Sequence, residues 1–358
     1  MTHVFIAPHP DDVALSCGGL IASLRELGQN VAILTLYSGT GTGDRLTPYQ
    51  REALGFGSKA IWPVTEAFNR ANLQPDFPED SASAPWQATK EDLDATQGDA
   101  DAAAKRFWQR SSWYRRAHIH NESLAGQPLM DDVPGQGAIL TTELVESADA
   151  GDTMARRRLE DERFAAFAEA SVLWLDLPDA VFRGYEGDDQ LLGTPRPDDA
   201  PPVDLLRREI ARLEPQRVYL PLGIAGHVDH QLARDAGAAL LHDARKWVMP
   251  GPDYTGMIAF YEDFPYAYWE DFGRLEDMPG GGVPGIPADV SLTAEFADIG
   301  DQIERKIRGI ALYESQIERL FDDRKAMGAA VRAYGAKVAE LGGLSGGYAE
   351  RYWVTTRA

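Results

Sequence analysis

Cysteine is nearly absent from this chain. Of 358 residues only Cys17 carries a thiol, which excludes a disulfide framework and any multi-thiolate metal site. Positive charge is scarce as well. Lys and Arg number 35 against 56 Asp and Glu, a formal net charge of −21, and only 7 of the basic residues are lysines. That balance repels phosphate backbones and anionic lipid surfaces, so neither nucleic acid nor a membrane is expected as a partner. No apolar run reaches the roughly 18–20 residues of a membrane helix, and the opening MTHVFIAPHPDD lacks the charged-then-apolar layout of a signal peptide. What is present is ordinary for a chain that buries a core, with 44% hydrophobic and 9% aromatic residues. These features describe a soluble, cytoplasmic globular protein that acts on small molecules.

The first forty residues read as one strand–helix–strand unit. Val4–Pro8 is a short apolar run, a helix follows from Asp12 to Leu27 and stops at Gly28, and Val31–Tyr37 is a second buried strand. A strand, a helix and a strand at this spacing imply a right-handed crossover and a parallel sheet. The pattern then breaks. From about residue 44 to 152, turn-rich stretches alternate with short possible helices, and this region reads as an insertion after the second strand. Regularity returns with a helix over Arg156–Ala170, strands at Val172–Leu177, Arg217–Leu222 and Met257–Tyr261, and helices at Asp204–Leu213 and His230–His242. A last helix is expected from Ala297 to Phe321, where Ile303, Ile307, Ile310 and Ile317 share a face. The alternation predicts an α/β, Rossmann-like three-layer fold with a mostly parallel sheet, a single domain over 1–358 interrupted by that insertion.

Two short loops concentrate the chemistry. His9-Pro10-Asp11-Asp12 follows strand one and His227-Val228-Asp229-His230 follows strand four, and open α/β sheets place their sites at the carboxyl ends of such strands. A divalent metal with open positions wants about three protein ligands, typically imidazole and carboxylate; His9, Asp12 and His230 supply them. Asp11 is then placed to act as general base on the attacking water. His227, one helical turn from His230, is expected to be protonated and to donate to a leaving amine, with Asp229 orienting its imidazole. Either loop alone is also what capping and surface polarity produce; their joint placement favours a site. A two-His, one-carboxylate set also marks non-haem iron oxygenases, but the strand–helix alternation does not suit their β-helical frame, so a hydrolytic metal site is preferred. Glu262 and Asp263 follow strand five and either line the same cleft as substrate-binding residues or provide loop polarity.

These motifs resemble a known family. APHPDDVALSCGG, then LDLPDA, then GHVDH opening a helix look like the PIG-L/LmbE-like metal-dependent N-deacetylases. The resemblance assigns His9, Asp12 and His230 to zinc, Asp11 to the general base and His227 to transition-state stabilisation or protonation. It matches Asp179 to a position that contacts sugar hydroxyls, with Arg183 four residues on. It implies a zinc enzyme, with iron(II) as the other candidate, that removes an N-acyl group, chiefly acetyl, from an amino sugar or related small molecule. Two alternatives stand beside it: an amidase for a larger thiol-sugar conjugate or natural-product intermediate, and a non-catalytic metal-binding scaffold. The chain departs from the family in three ways. Val13 replaces the Glu that often follows HPDD, Ala225 stands where some sugar deacetylases carry a Tyr, and the insertion is long.

Other features fit blander readings. Gly39, Gly41 and Gly43 lack the spacing of a nucleotide-binding loop and suit a flexible rim. His118 and His120 have no carboxylate pattern beside them, and Cys17 suits small-residue packing. Trp108, Trp113 and Tyr114 among Arg106, Arg110, Arg115 and Arg116 fit inward packing, with a lid, a homo-oligomer contact or recognition of an anionic group as the sharper options.

Overall fold

The computed structural model describes residues 1–40, 47, 49–50, 150–243, 254–278, 281–344 and 347–357. Most of the expected insertion, with His118, His120 and the aromatic–arginine cluster, lies outside these residues. Among them, no helix is long and apolar enough to cross a membrane.

Seven strands form one sheet. In chain order they are β1 (Thr2–Ala7), β2 (Asn30–Thr35), β3 (Ser171–Trp174), β4 (Arg217–Pro221), β5 (Ile258–Tyr261), β6 (Val290–Asp298) and β7 (Ala349–Arg357). They lie in the order β3-β2-β1-β4-β5-β7-β6. The first five pair in parallel, whereas β7 runs antiparallel to both β5 and β6. The expected α/β sheet is therefore present, with an antiparallel pair added at one edge. Val4 to Ala7 and Val31 to Thr35 are buried throughout, as parallel strands covered on both faces must be.

The helices that matter for the site are α1 (Asp12–Glu26), α2 (Ala150–Ala168), α3 (Val203–Leu213), α4 (Val228–Asp243), α5 (Ile303–Ile310), α6 (Glu314–Leu320) and α7 (Arg324–Leu341). Gly28, at φ 69°, turns the chain out of α1. The single helix expected over Ala297–Phe321 is not formed. Residues up to Asp298 belong to β6, and α5 and α6 are separated at Tyr313, whose side chain is buried and whose hydroxyl donates to Asp161 at 2.7 Å. A tertiary hydrogen bond here overrides a continuous helical period. The three isoleucines Ile303, Ile307 and Ile310 do form the buried face of α5, which packs on α1.

The chain order sets the position of the site. From β1 the sheet grows through β2 to β3, then the chain returns to pair β4 on the other side of β1. The loops after β1 and β4 therefore leave the sheet next to each other at the point where strand order reverses, where open α/β sheets form a crevice.

Helix α1 is held from behind by a buried ion pair. Lys306 Nζ donates to Glu350 Oε1 at 2.7 Å and to the Ser16 carbonyl at 3.3 Å, while Glu350 accepts from the amides of Gly19 and Leu20 and from the Tyr352 hydroxyl. The approach requires residues without bulk on that face. A Cβ on Gly19 would lie 2.7 Å from the side chain of Ile299. Helix propensity alone favours Ala over Gly by about 1 kcal/mol, but overpacking costs about 1–3 kcal/mol, so the steric effect should win. Gly19→Ala is expected to lower the denaturant midpoint with the slope unchanged; a raised midpoint would show that Ile299 yields freely.

Candidate metal and catalytic site

The loop after β1 carries strain at one residue. Asp11 adopts φ 118°, ψ −34°, in the region disfavoured for a side chain with a Cβ. Its carbonyl already accepts from Leu15 to start α1, and its side chain is buried. The next residue, Asp12, points the other way into a cluster of imidazoles. Its Oδ2 accepts from the His9 amide at 2.8 Å and lies 3.3 Å from both His9 Nδ1 and His230 Nε2.

His9, Asp12 and His230 thus present three donor atoms within 4.8 Å of one another. A second set with the same closeness joins His9, His227 and Asp229. The far nitrogens of two rings are already engaged. His9 Nε2 lies 2.9 Å from Asp229 Oδ2 and 3.6 Å from Asp179 Oδ2, and His230 Nδ1 lies 2.5 Å from Asp263 Oδ1. A carboxylate behind each imidazole fixes the ring and leaves its opposite nitrogen as the free donor, the arrangement metal-binding histidines use.

The electrostatics agree. Burial opposes charge on His9, but Asp179, Asp12 and Asp229 outweigh it and hold the imidazolium to about 9. Burial likewise opposes charge on His230, and Asp12 with Asp263 carries it well above the ordinary value. The carboxylates therefore create a field that favours positive charge between these rings. Protons or a cation can satisfy it, so the residues present fit a divalent metal. Asp11 behaves differently. Burial drives its carboxyl up and Asp12 adds to the effect, against the opposing Arg157 and His9, leaving it at about 7.

His227 lines the same cleft. Burial pushes its pKa well below the usual value, and the neighbouring His9 and His230 push in the same direction. Its Nδ1 accepts from the Asp229 amide at 3.2 Å, which leaves the proton on Nε2. Both features favour a neutral His227 ring with its proton on Nε2 over the protonated ring expected from the sequence. The role foreseen for the Asp229 side chain also changes. That carboxylate bonds His9, the Ala180 amide and Arg183, and its pull to low pKa comes from His9 and Arg183 overcoming burial. Asp229 positions His9, and only its main chain touches His227.

Of the four substrate-binding candidates, only Asp179 lines the cleft. It caps the short turn Ala180–Phe182 by accepting from Val181. Its position is fixed through Gly39, whose amide donates to the Leu177 carbonyl and whose carbonyl accepts from Asp179. A Cβ on Gly39 would lie 2.3 Å from the Asp176 carbonyl oxygen, so this glycine permits close backbone approach and is not a flexible rim. Arg183 stacks over Tyr37 and bridges Asp199 and Asp229 away from the opening. Glu262, the residue after β5, is buried among Arg351, Tyr334 and Trp353. Asp263 holds His230 and the amides of Gly223 and Ile224. Glu262 and Asp263 therefore serve the frame, and neither lines the cleft.

Sequence reasoning gave no role to Arg157, Tyr266, Gln316 or Arg319, all of which line the cleft with His9, Asp11 and His227. Arg157 is buried, donates to the Pro10 carbonyl at 3.1 Å, and lies 3.4 Å from Asp11 and 3.8 Å from Asp179. A signal existed. Arg157, Glu160, Asp161, Phe164 and Ala168 recur at helical spacing, and all five are buried.

Residues 4–61 match the family model for PIG-L, described as GlcNAc-PI de-N-acetylase. A curated relative, 2'-N-acetylparomamine deacetylase of Streptomyces fradiae, is 29% identical over 169 residues, which span 46% of this chain and 54% of that protein. The match thus extends over about half the length of that relative. Among solved structures, a deacetylase triple mutant from the teicoplanin biosynthetic pathway superposes with TM-score 0.54 at 19% identity, covering 100% of this chain and 99% of its own. The A40926 pseudoaglycone deacetylase gives 0.53 at 19%, covering 99% and 97%.

If Asp263 holds the His230 ring, Asp263→Asn should weaken metal binding by about 10–100-fold with the fold retained. Metal titration followed by calorimetry checks this; unaltered affinity would detach Asp263 from the site. Residues 4–61, which carry the first of the two loop motifs, match the PIG-L model, and the described residues take the fold of these deacetylases.

Proposed function

We propose that the protein is a metal-dependent hydrolase that removes an N-acyl group, chiefly acetyl, from an amino sugar or related small molecule. One observation carries this reading. Two imidazoles and a carboxylate converge in a buried cleft, and a separate carboxyl of near-neutral pKa, Asp11, opens onto the same space. Zinc suits two nitrogens and one oxygen, and iron(II) is the second candidate. Lewis acidity toward an amide carbonyl and the attacking water is what such an ion supplies when bound by His9, Asp12 and His230.

The remaining work falls to the chain's own groups. Asp11 accepts the proton of the attacking water, since a base whose pKa lies near the working pH does this most effectively. Arg157, 3.4 Å away, keeps its carboxylate oriented. His227 donates its Nε2 proton as a hydrogen bond to the oxygen that becomes negative in the tetrahedral transition state. This is the task that a Tyr at the Ala225 position performs in some sugar deacetylases. Asp11 then returns its proton to the departing nitrogen, which leaves as an amine. Asp179, on the cleft wall beside His9, is placed to accept from substrate hydroxyls. The activity in the name of the curated relative, removal of an acetyl group from a 2'-amino position, supports the same reaction class.

Asp11→Asn is expected to keep its metal stoichiometry while kcat falls by about 10²–10⁴-fold, read as primary-amine release from N-acetylated sugars. Full turnover in that variant would remove Asp11 as the base. Chelation should abolish amine release, with zinc restoring it, and His230→Ala should lower the bound metal per chain. A chelated enzyme that kept its rate would refute the metal-dependent reading.

A further inference from the structure

Arg319 is the one cation lining the cleft that has no task in the mechanism above. It extends from α6 one turn beyond Gln316 and is half-buried. The other cleft arginine, Arg157, is committed to Asp11 and Asp179. Among the described residues no ion pair or hydrogen bond engages the Arg319 guanidinium. Its charge acts on Asp11, Asp188 and Tyr266, and it lines the cleft beside Tyr266, Gln316 and Leu320. Both neighbouring acids have other partners: Asp11 lies against Arg157, and Asp188 accepts from the Tyr49 hydroxyl at 3.3 Å.

A guanidinium partly withdrawn from water without an acceptor is unfavourable unless a ligand supplies one. The nearby walls at Leu15, Val181, Leu191 and Leu320 offer no side-chain acceptor. We propose that Arg319 is a specificity-determining residue that receives a carboxylate carried on the body of the substrate while the N-acyl end lies against His9, Asp12 and His230. This rests on the hydrolase reading given above and narrows its substrate class to N-acylated amino sugars, or similar molecules, that bear an acid group. The planar fork of arginine matches a carboxylate with two parallel hydrogen bonds. A phosphate dianion would meet stronger repulsion from Asp11, Asp12 and Asp179 across the same small cleft. A ligand rich in ammonium groups would be repelled by Arg319 itself.

The test compares N-acetylglucosamine with N-acetylglucosaminuronic acid, which differ by the carboxylate, on zinc-loaded wild type, Arg319→Gln and Arg319→Lys. Wild type should favour the acid in kcat/KM by about 10–100-fold, with the difference in KM. Arg319→Gln should erase the preference and Arg319→Lys should restore part of it. Equal preference in wild type and Arg319→Gln would overturn the proposal. So would a shift of the kcat–pH profile of the same size on both sugars, which would mean that Arg319 acts on Asp11 and not on substrate. Calorimetric titration of each protein with the two sugars separates this proposal from the reaction. If wild type hydrolyses neither sugar, the hydrolase reading fails for both; binding of the acid that depends on Arg319 would still support the carboxylate site, and binding indifferent to Arg319 would overturn it.

Discussion

The site depends on the compensation of crowded, buried negative charge. Asp11, Asp12, Asp179, Asp229 and Asp263 are all buried, in the loops that follow the parallel strands or in the first turns of the helices those loops open. Removing an ion from water costs several kcal/mol unless a counter-charge or hydrogen bonds replace the solvent. Each carboxylate meets this demand differently. Asp12 lies between two imidazoles, Asp229 between His9 and Arg183, and Asp263 against His230 and two main-chain amides. Among the described residues Asp11 has one ion-pair partner, Arg157, at 3.4 Å. The crowding therefore yields firm anions that hold the imidazoles and one carboxyl that exchanges its proton near neutrality. The hold on the imidazoles and the raised Asp11 carboxyl have the same origin.

The strained backbone at Asp11 belongs to the same design. Consecutive aspartates on a regular helix entry would project about 100° apart on one helical end. Placing φ of the first at 118° separates them, so one carboxylate joins the imidazoles and the other faces the cleft with Arg157. A residue in this region costs about 1–3 kcal/mol, and the packing of α1 against the sheet and the Lys306–Glu350 pair maintains it.

Much of this is legible in the sequence. The parallel strands were readable because doubly covered strands are continuous apolar runs such as VFIA and VAILT, and the two motif loops followed them. The antiparallel edge was not foreseen. Strand β6 alternates Val290, Leu292, Ala294 and Phe296 with polar residues, a weak signal beside the isoleucine period that follows it. Near its start, strand β7 carries Glu350 and Arg351, charged residues that read as surface but are both buried in ion pairs. Arg157 had a local mark, its helical spacing with Glu160, Asp161, Phe164 and Ala168, but a helix face rich in charge reads as solvated. Asp263 was singled out for its position after β5, but one sequence does not tell a carboxylate that meets substrate from one that holds a histidine.

Glu350 bonds the amide of Gly19 across 331 positions of sequence. It lies on β7, which among the described residues is also the only strand that pairs with β6. The helix that begins with Asp12 therefore cannot complete its buried face, nor β6 enter the sheet, until the last strand inserts between β5 and β6. Contacts this far apart bear the largest loop-closure entropy and form late. During synthesis the two motif loops emerge with their strands, long before the segment that holds α1 in place. Metal affinity and a protease-resistant α1 should therefore be acquired together at the final step of folding, and not by the first half of the chain alone.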